Sequence, residues 1–568
     1  MKSKFLTIFV ISLCLLSAQE PARAAEVVVN ASKIQGPFKN IAGGVNFWGN
    51  EAAQKRFIEE VGADLYRLKI RLHRVRKNEK GYTNFPWEGD DLSLKEMKVI
   101  VGNMKKARAR GCKIMLQIYG VPGWLSLSKD RRVVTNNLPD YAKYPPRDYN
   151  EWTKLVSAAI QELQKIGLER VDYYEIFGEP NAGSTWYSQM MPCRGKGVEK
   201  RLVYDCRPNE LGHNGVQVLE AFFEIYKATV EGIRSVDGDA KIGGIGVIPN
   251  PSGIWWTRFF AEHVKSHDLP LAFYSWHWYG VDEALAHILN KIGLNNVTVG
   301  MVRRYFEERL KKLGFDDLEI NGIILDIHGY LKDLKTAGRN ALQHPYTFVS
   351  SSLERVLNRG GVDSAKLFLT EWNVSHAMDR RHDTHYGASY ITKGLIDITQ
   401  SKTEAQTLYV LSNRRLSDHD RGFGGFYGLF TSDKTARPKA SFNALKLFSM
   451  LGDDAKRLEV GVSGEDVYAI ATYDGRGVSV LVTYYRMADK PDYRLSEEIS
   501  IEVKDLPFSD FHYTVYRIDR DHGNSYYGAD EHVTPTEKGS GEGSFKRRIK
   551  LPVYGVSLAR LEPDSEDR

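Results

Sequence analysis

The stretch "WTKLVSAAIQELQKIGLERVDYYEIFGE", residues 152–179, carries the fold in miniature. Its first part, 152–167, repeats apolar residues at helical spacing with polar ones between, the pattern of an amphipathic helix. Its second part, "VDYYEIFGE" (171–179), is a short β-forming run that ends on Glu179, held between Gly178 and Pro180. Glu179 is thus either a catalytic acid at the mouth of a barrel or an ordinary carboxylate at a strand end.

The same alternation extends both ways. Earlier runs are "IAGGVNFW" (41–48), "ADLYRLKI" (63–70) and "CKIMLQIYG" (112–120); later ones are "AKIGGIGVI" (240–248), "LAFYSWHWYG" (271–280), "AKLFLTEWN" (365–373) and "QTLYVLSN" (406–413). Amphipathic stretches such as "LKEMKVIVGNMKKARARG" lie between them. Strand–helix alternation at this spacing predicts an α/β fold, a (β/α)8 TIM barrel over residues 35–454. A doubly wound sheet is the alternative, but no G-x-G-x-x-G opens a helix after an early strand.

One connection is too long for a barrel loop. Residues 281–364 hold helical patterns such as "VRRYFEERLKKLG", which predict a helical insertion after the sixth strand. It is either a lid beside the mouth or a packing elaboration away from it. From residue 455 the pattern turns to β: "VYAIATYDGRGVSVLVTYY" reads as a hairpin turning at Asp474–Gly475. Residues 455–568 are therefore expected to form an all-β, sandwich-like module, with 26–34 as a candidate extra strand.

The N-terminus reads as a signal peptide over residues 1–24. Lys2 and Lys4 precede an apolar run, and "ARA" (Ala22 to Ala24) offers a small-residue cleavage site. A secreted or periplasmic protein is expected, without stable membrane insertion. Removing Lys2, Lys4, Arg23 and Glu20 lowers the formal charge of +6 by two. Both signs are mixed along the chain, which gives no stripe for nucleic acid. Cys193 and Cys206 share one polar segment, and a disulfide between them suits an oxidising compartment. Cys112 reads as a buried thiol.

Catalytic groups of such barrels sit at the C-terminal strand ends. Glu179 closes the fourth run and Glu371 the seventh. Counting by twos places Glu175, Phe177 and Glu179 on one strand face, and Leu367, Leu369 and Glu371 on another. If both faces point inward, two carboxylates meet at the mouth, as cleavage of a glycosidic bond requires.

"EIFGEPN", "YSWHWYG" and "FLTEWN" resemble the clan A glycoside hydrolases, most closely family 39, and "GGFYGLFTSDKTARPKASFNALKLF" (424–448) is similar to the segment that ends such barrels. The resemblance runs in order over about residues 35 to 450. It implies Glu179 as general acid/base and Glu371 as nucleophile of a retaining double displacement, with no cofactor and no metal. It implies Arg67 as the cation beside the nucleophile, Tyr279 as its hydrogen-bond donor and His277 as a contact to the sugar. Arg67 has a second candidate partner in Glu175, and His277 and Tyr279 also suit satisfied core positions. The family usually carries asparagine before the acid/base, to contact the sugar 2-hydroxyl; here that position is Gly178.

Trp48, Trp124, Trp186, Trp276, Trp278 and Trp372 fall at or just beyond strand ends, and indole faces stack on pyranose rings. Trp124, Trp278 and Trp372 are taken as substrate-binding. Basic residues gather near strand ends too: Lys69, Arg71 and His73; Arg380, Arg381 and His382; Arg414 and Arg415. The expectation is an exported retaining glycosidase of a polysaccharide or oligosaccharide. A carbohydrate-binding protein on a decayed barrel and a transglycosidase are the alternatives.

Overall fold

The computed structural model describes residues 24–47, 51–79, 81–83, 85, 94–129, 133–135, 138–182, 186–187, 215–292, 297–413, 422–433, 435–487 and 492–564. The signal peptide up to residue 23, Trp48, the Cys193–Cys206 pair, Arg414 and Arg415 lie outside the described residues. Cys112 is buried as a free thiol.

An N-terminal strand, β1 (Ala25–Pro37), precedes eight parallel strands that close into a barrel. They are β2 (Gly44–Asn46), β3 (Leu65–Arg71), β4 (Lys113–Tyr119), β5 (Tyr173–Ile176), β6 (Ile242–Val247), β7 (Phe273–Tyr279), β8 (Lys366–Asn373) and β9 (Thr403–Leu408). Each overlaps one of the eight β-forming runs of the sequence, in order; β3 runs one residue past its run and β9 starts three residues before its own. Helices α1 (Glu51–Glu60), α2 (Leu94–Arg108), α3 (Tyr149–Lys165) and α4 (Gly215–Arg234) follow β2 to β5 in turn, and α3 buries Trp152, Leu155, Val156, Ala159, Ile160 and Leu163, the stripe that its spacing announces. Asp148 caps it by accepting from the Glu151 amide.

The barrel interior is layered. Leu65, Met115, Tyr173, Phe273 and Phe368, with Ala405 beside them, form an apolar plug separate from the main core. Two residues further along the same strands stand Arg67, Gln117, Glu175, Ser275, Thr370 and Thr407, all nearly or fully buried. Period-two alternation keeps each pair on one face. The apolar plug closes the N-terminal end, so buried polarity accumulates toward the C-terminal mouth.

Between β7 and β8 lie α6 (Val281–Ile292), α7 (Val299–Lys312), α8 (Asp317–Ala337), α9 (Arg339–Gln343) and α10 (Pro345–Arg359). A capping box from Asp316 and Glu319 starts α8. The long helix packs on the barrel's outer wall. Its Asp326 pairs with Arg258 of α5 (Pro251–Ser266) and with Arg359 of α10, and Phe315, just ahead of it, stacks on Phe259 of α5. The insertion thus elaborates the helical layer.

The C-terminal strands are β10 (Lys456–Val462), β11 (Val467–Tyr473), β12 (Val478–Tyr484), β13 (Ser496–Lys504), β14 (Asp510–Ile518), β15 (Pro535–Glu542), β16 (Phe545–Pro552) and β17 (Val556–Pro563). With β1 they form one nine-stranded sheet, ordered β15-β14-β17-β12-β11-β10-β1-β13-β16. β1 runs antiparallel to β10 and parallel to β13, so the two ends of the described chain share a sheet. The module meets the barrel at α11 (His385–Ile398), where Ser389 bonds Thr483 and where Asp282 accepts from both Lys393 and Tyr485. Among the described residues no helix is long and apolar enough to cross a membrane.

Candidate active site

Arg67 organises the floor of the mouth. The guanidinium is fully buried and donates from Nε to Oε2 of Glu175 at 2.6 Å. Its Nη1 donates to Oε1 of Glu371 at 2.7 Å and to Oδ1 of Asn46 at 2.5 Å. Both partners that the sequence offers Arg67 are therefore taken at once. Burial opposes its charge, but Glu175 and Glu371 more than compensate and hold it protonated.

Glu371 reaches the interior by a different route from the one its spacing suggests. Phe368 and Thr370 point inward, whereas Leu367 and Leu369 belong to the outer core. The pairing of β7 with β8 then skips a residue, running Trp276 to Leu369 and His277 to Glu371. This β-bulge turns Glu371 inward directly after Thr370. Lys69, two residues past Arg67 on the same strand face, donates to the same Oε1 at 2.7 Å. Tyr279 donates its hydroxyl to Oε2 at 2.8 Å. Burial pushes the Glu371 carboxyl up, but the Lys69 and Arg67 cations bonded to it outweigh that and hold the group well below the usual carboxylate range. Tyr279 moves the other way: burial, with Glu371 beside it, lifts its phenol well above the ordinary value.

Glu179 also departs from simple alternation. β5 ends at Ile176, and Phe177 takes a φ of 59° and Glu179 a φ of 51°, in the left-handed region. Phe177 consequently points outward, among Trp152, Trp186 and Phe222, and shares no face with Glu175. Such backbone costs about 1–3 kcal/mol per residue and persists where the surroundings over-determine it. Here the Phe177 amide donates to the Ile118 carbonyl and the Glu179 amide to that of Gly246, each at 2.9 Å. The twist delivers Glu179 to His277, whose Nδ1 lies 3.0 Å from Oε1.

Between them, Gly178 faces the interior. A Cβ there would lie 2.5 Å from Nε2 of Gln117 and 3.5 Å from Cε1 of His277. The space that a side chain at 178 would need is held by Gln117, whose amide donates to the Phe177 carbonyl at 2.7 Å. Both nitrogens of His277 are engaged by protein, Nε2 lying 3.1 Å from Oγ1 of Thr370. Its expected contact to a sugar is replaced by these two contacts.

The tryptophans divide sharply. Trp124 is half-buried, stacks on Tyr82 and donates its indole N–H to the Val75 carbonyl, in a segment following β4. Trp278 and Trp372, expected to bind substrate, alternate with inward-facing neighbours and point to the outer layer, 4% and 0% exposed. The Trp372 indole donates to Gln406 and lies against Tyr346 and Gly394. Trp186 and Trp276 are fully buried too. A strand end in a barrel has an outward side, and aromatic bulk suits the helix layer there as well as a ligand.

Sequence reasoning missed Lys69, Asn46 and Thr370 as parts of the centre. The signal for Lys69 was its i+2 spacing from Arg67; Thr370 was hidden by the bulge. Glu179, His277 and Glu371 each offer a ligand atom within 4.8 Å of the others. A divalent cation fits poorly there, because Arg67 and Lys69 already crowd Glu371 with positive charge. The stretch "HDTH" (382–385), whose two histidines and aspartate are metal-ligating residue types, is internal packing: Asp383 pairs with the buried Lys439 at 2.6 Å, and His382 lies edge-on to Tyr427. The centre therefore brings an ionised carboxylate within 4.8 Å of a second one that an imidazole touches.

No family model matches the chain. A β-xylosidase of Caldicellulosiruptor saccharolyticus is 20% identical over 353 residues, 61% of this chain and 56% of that protein. A β-xylosidase of Geobacillus stearothermophilus is 21% identical over 316 residues, 55% of this chain and 48% of that protein. The chain thus spans about half the length of the curated relatives it matches. Among solved structures, a monomeric β-xylosidase from Caulobacter crescentus superposes with a TM-score of 0.63 at 16% identity, covering 95% of this chain and 100% of that one. The family 39 glycoside hydrolase of Xanthomonas axonopodis pv. citri gives 0.61 at 14%, covering 97% and 100%. In fold and in sequence the chain is similar to the clan A glycoside hydrolases, and most like family 39.

Proposed function

We propose that this chain is a retaining glycoside hydrolase acting on O-glycosidic bonds of an oligosaccharide or polysaccharide. The observation that carries the reading is that one carboxylate oxygen of Glu179 lies within 4.8 Å of one of Glu371. Retaining enzymes hold their carboxyl groups about 5–5.5 Å apart, whereas inverting ones leave about 6.5–9.5 Å for a water. Glu371 attacks the anomeric carbon as Glu179 gives its proton to the departing oxygen. Water then attacks the glycosyl ester, Glu179 takes its proton, and Glu371 leaves as carboxylate.

Gly178 does not argue for a decayed site on this reading, since Gln117 fills the space it leaves. Trp186, Trp276, Trp278 and Trp372 lie in the core and so give no support to a tryptophan-lined polysaccharide cleft. Short aryl glycosides and polysaccharides both belong in the test panel, xylosides first, because the curated relatives are β-xylosidases. Proton NMR of the first-formed product reads the anomer. Retention supports the proposal; inversion, or no cleavage of any glycoside, sinks it. Export rests on residues 1–24 and is tested by the mass of the mature protein, expected to begin near Ala25.

A further inference from the structure

Four side chains form an unbroken run of hydrogen bonds from Glu175 to Glu179. Thr370 donates its hydroxyl to Oε1 of Glu175 at 2.7 Å. A carboxylate clamped by Arg67 at 2.6 Å has no proton to give, so the hydroxyl proton must be the one from Thr370. Oγ1 of Thr370 can then only accept from its other neighbour, Nε2 of His277 at 3.1 Å. The Nε2–H tautomer leaves Nδ1 as the lone-pair nitrogen, and Nδ1 faces Oε1 of Glu179 at 3.0 Å. A carboxylate oxygen and a bare ring nitrogen at that distance need one proton between them.

The charges around the ring decide where that proton rests. Nη2 of Arg67 lies 3.5 Å from Nε2 and opposes an imidazolium. Oε2 of Glu371 is 3.8 Å from Nδ1, but that carboxylate already takes Arg67, Lys69 and Tyr279. Glu175 is matched by Arg67. What remains beside the neutral ring is Glu179, partly open to the mouth with 16% of its side chain exposed.

We infer that Glu175 and Thr370, acting through the tautomer of His277, keep the leaving-group proton on Glu179. Both are positioning residues, since neither meets the sugar. The inference rests on the glycosidase reading for its kinetic consequence, but the tautomer itself does not.

Thr370→Val removes the acceptor for Nε2–H at nearly constant volume. The ring then does better with its lone pair toward Arg67 and its N–H on Nδ1, donating to an ionised Glu179. Glycosides with poor leaving groups are expected to lose about tenfold to a hundredfold in kcat/KM, part of what general acid catalysis supplies. Dinitrophenyl glycosides, which depart without a proton, should change by less than about threefold in the same step. The basic limb of the pH profile should move to lower pH, and Thr370→Ser should restore both. Equal losses on both leaving groups with an unmoved profile would overturn the inference.

Neutron diffraction on the wild-type protein tests the same point without a variant or a substrate. A deuteron on Nε2 supports the relay, and a bare Nε2 with a deuteron on Nδ1 refutes it. If the wild-type protein cleaves no glycoside while Nε2 carries the deuteron, the glycosidase reading fails and takes the kinetic role with it.

Discussion

Nζ of Lys69 stands 2.7 Å from Oε1 of Glu371, on the oxygen that Arg67 also grips. Removing that cation, which also sits 4.7 Å from the centre of the Tyr409 ring, while keeping an unbranched side chain, as in Lys69→Met, should weaken the hold on the ionised form. Glu371 must be a carboxylate to attack, and its proton is held off until well below the usual carboxylate range. With Lys69 gone, activity should fail at a higher pH on acidification. The acid limb of kcat/KM is expected to rise by about one unit, the scale of one lost charge-assisted bond. An unmoved limb would deny Lys69 that role.

The two glutamates should separate by chemistry. Glu371→Ala is expected to lose about 10⁴-fold or more in kcat on every glycoside, because both steps pass through it. Glu179→Ala should spare the first step on dinitrophenyl glycosides and stall the second, giving a burst of dinitrophenol and a trapped ester visible by mass spectrometry. Azide should then relieve the stall, since it attacks without a general base. If both variants behave alike on activated and unactivated substrates, the division of roles is wrong.

Much of this centre is legible before any coordinates. Runs such as "VDYYEIFGE" and "AKLFLTEWN" end where β5 and β8 meet the mouth, because strand-forming residues and their helical partners repeat at local spacing. The directions of side chains were less legible. Period-two counting put Glu371 with Leu369 and Glu179 with Phe177; a bulge and two left-handed residues placed them otherwise. Both irregularities depend on hydrogen bonds to neighbouring strands that no local pattern records. Lys69 was seen as rim charge, although its i+2 step from Arg67 already put it on the inward face.

Gly178 and Gln117 should behave as a coupled pair. A methyl group at 178 would meet Nε2 of Gln117 at 2.5 Å and displace it from the Phe177 carbonyl. Gly178→Ala is therefore expected to cost about 1–2 kcal/mol, the loss of one buried hydrogen bond. Gln117→Ala should cost a similar amount, and the double variant less than the sum of the two. Strict additivity in thermal or urea unfolding would mean that the two side chains do not compete for the space.

Acid should loosen the junction between barrel and sheet. Burial lowers His385 from an ordinary 6.5 to about 4, and His382 to about 3. His385 packs on Tyr493 and Tyr527, and its Nδ1 lies 3.3 Å from Nδ2 of Asn524, a nitrogen that can only donate. Both rings are neutral in the folded state, whereas the unfolded chain binds their protons more readily. Their contribution is thus complete above pH 6.5 and drains away as pH falls toward 4. His385→Gln, which keeps an acceptor but cannot titrate, should flatten the decline of Tm over that window. A slope identical to wild type would place the acid sensitivity elsewhere.

Trp372 offers the sharpest separation between packing and binding. The neighbouring Glu371 is part of the centre, yet the indole is fully buried on the far side of the strand, bonded to Gln406 and fitted against Gly394 and Tyr346. Trp372→Phe keeps aromatic bulk and drops the N–H, leaving Oε1 of Gln406 without its donor. A loss of about 1–3 kcal/mol in stability is expected from the orphaned acceptor, with KM for an aryl glycoside within about twofold of wild type because no ground-state contact is removed. A platform would give the opposite: stability preserved and KM raised severalfold. Trp124, half-buried and stacked on Tyr82 outside the helix layer, is the tryptophan for which that second pattern is expected. Trp124→Ala should raise KM with little change in kcat, and an unchanged KM would remove the last of the proposed stacking surfaces.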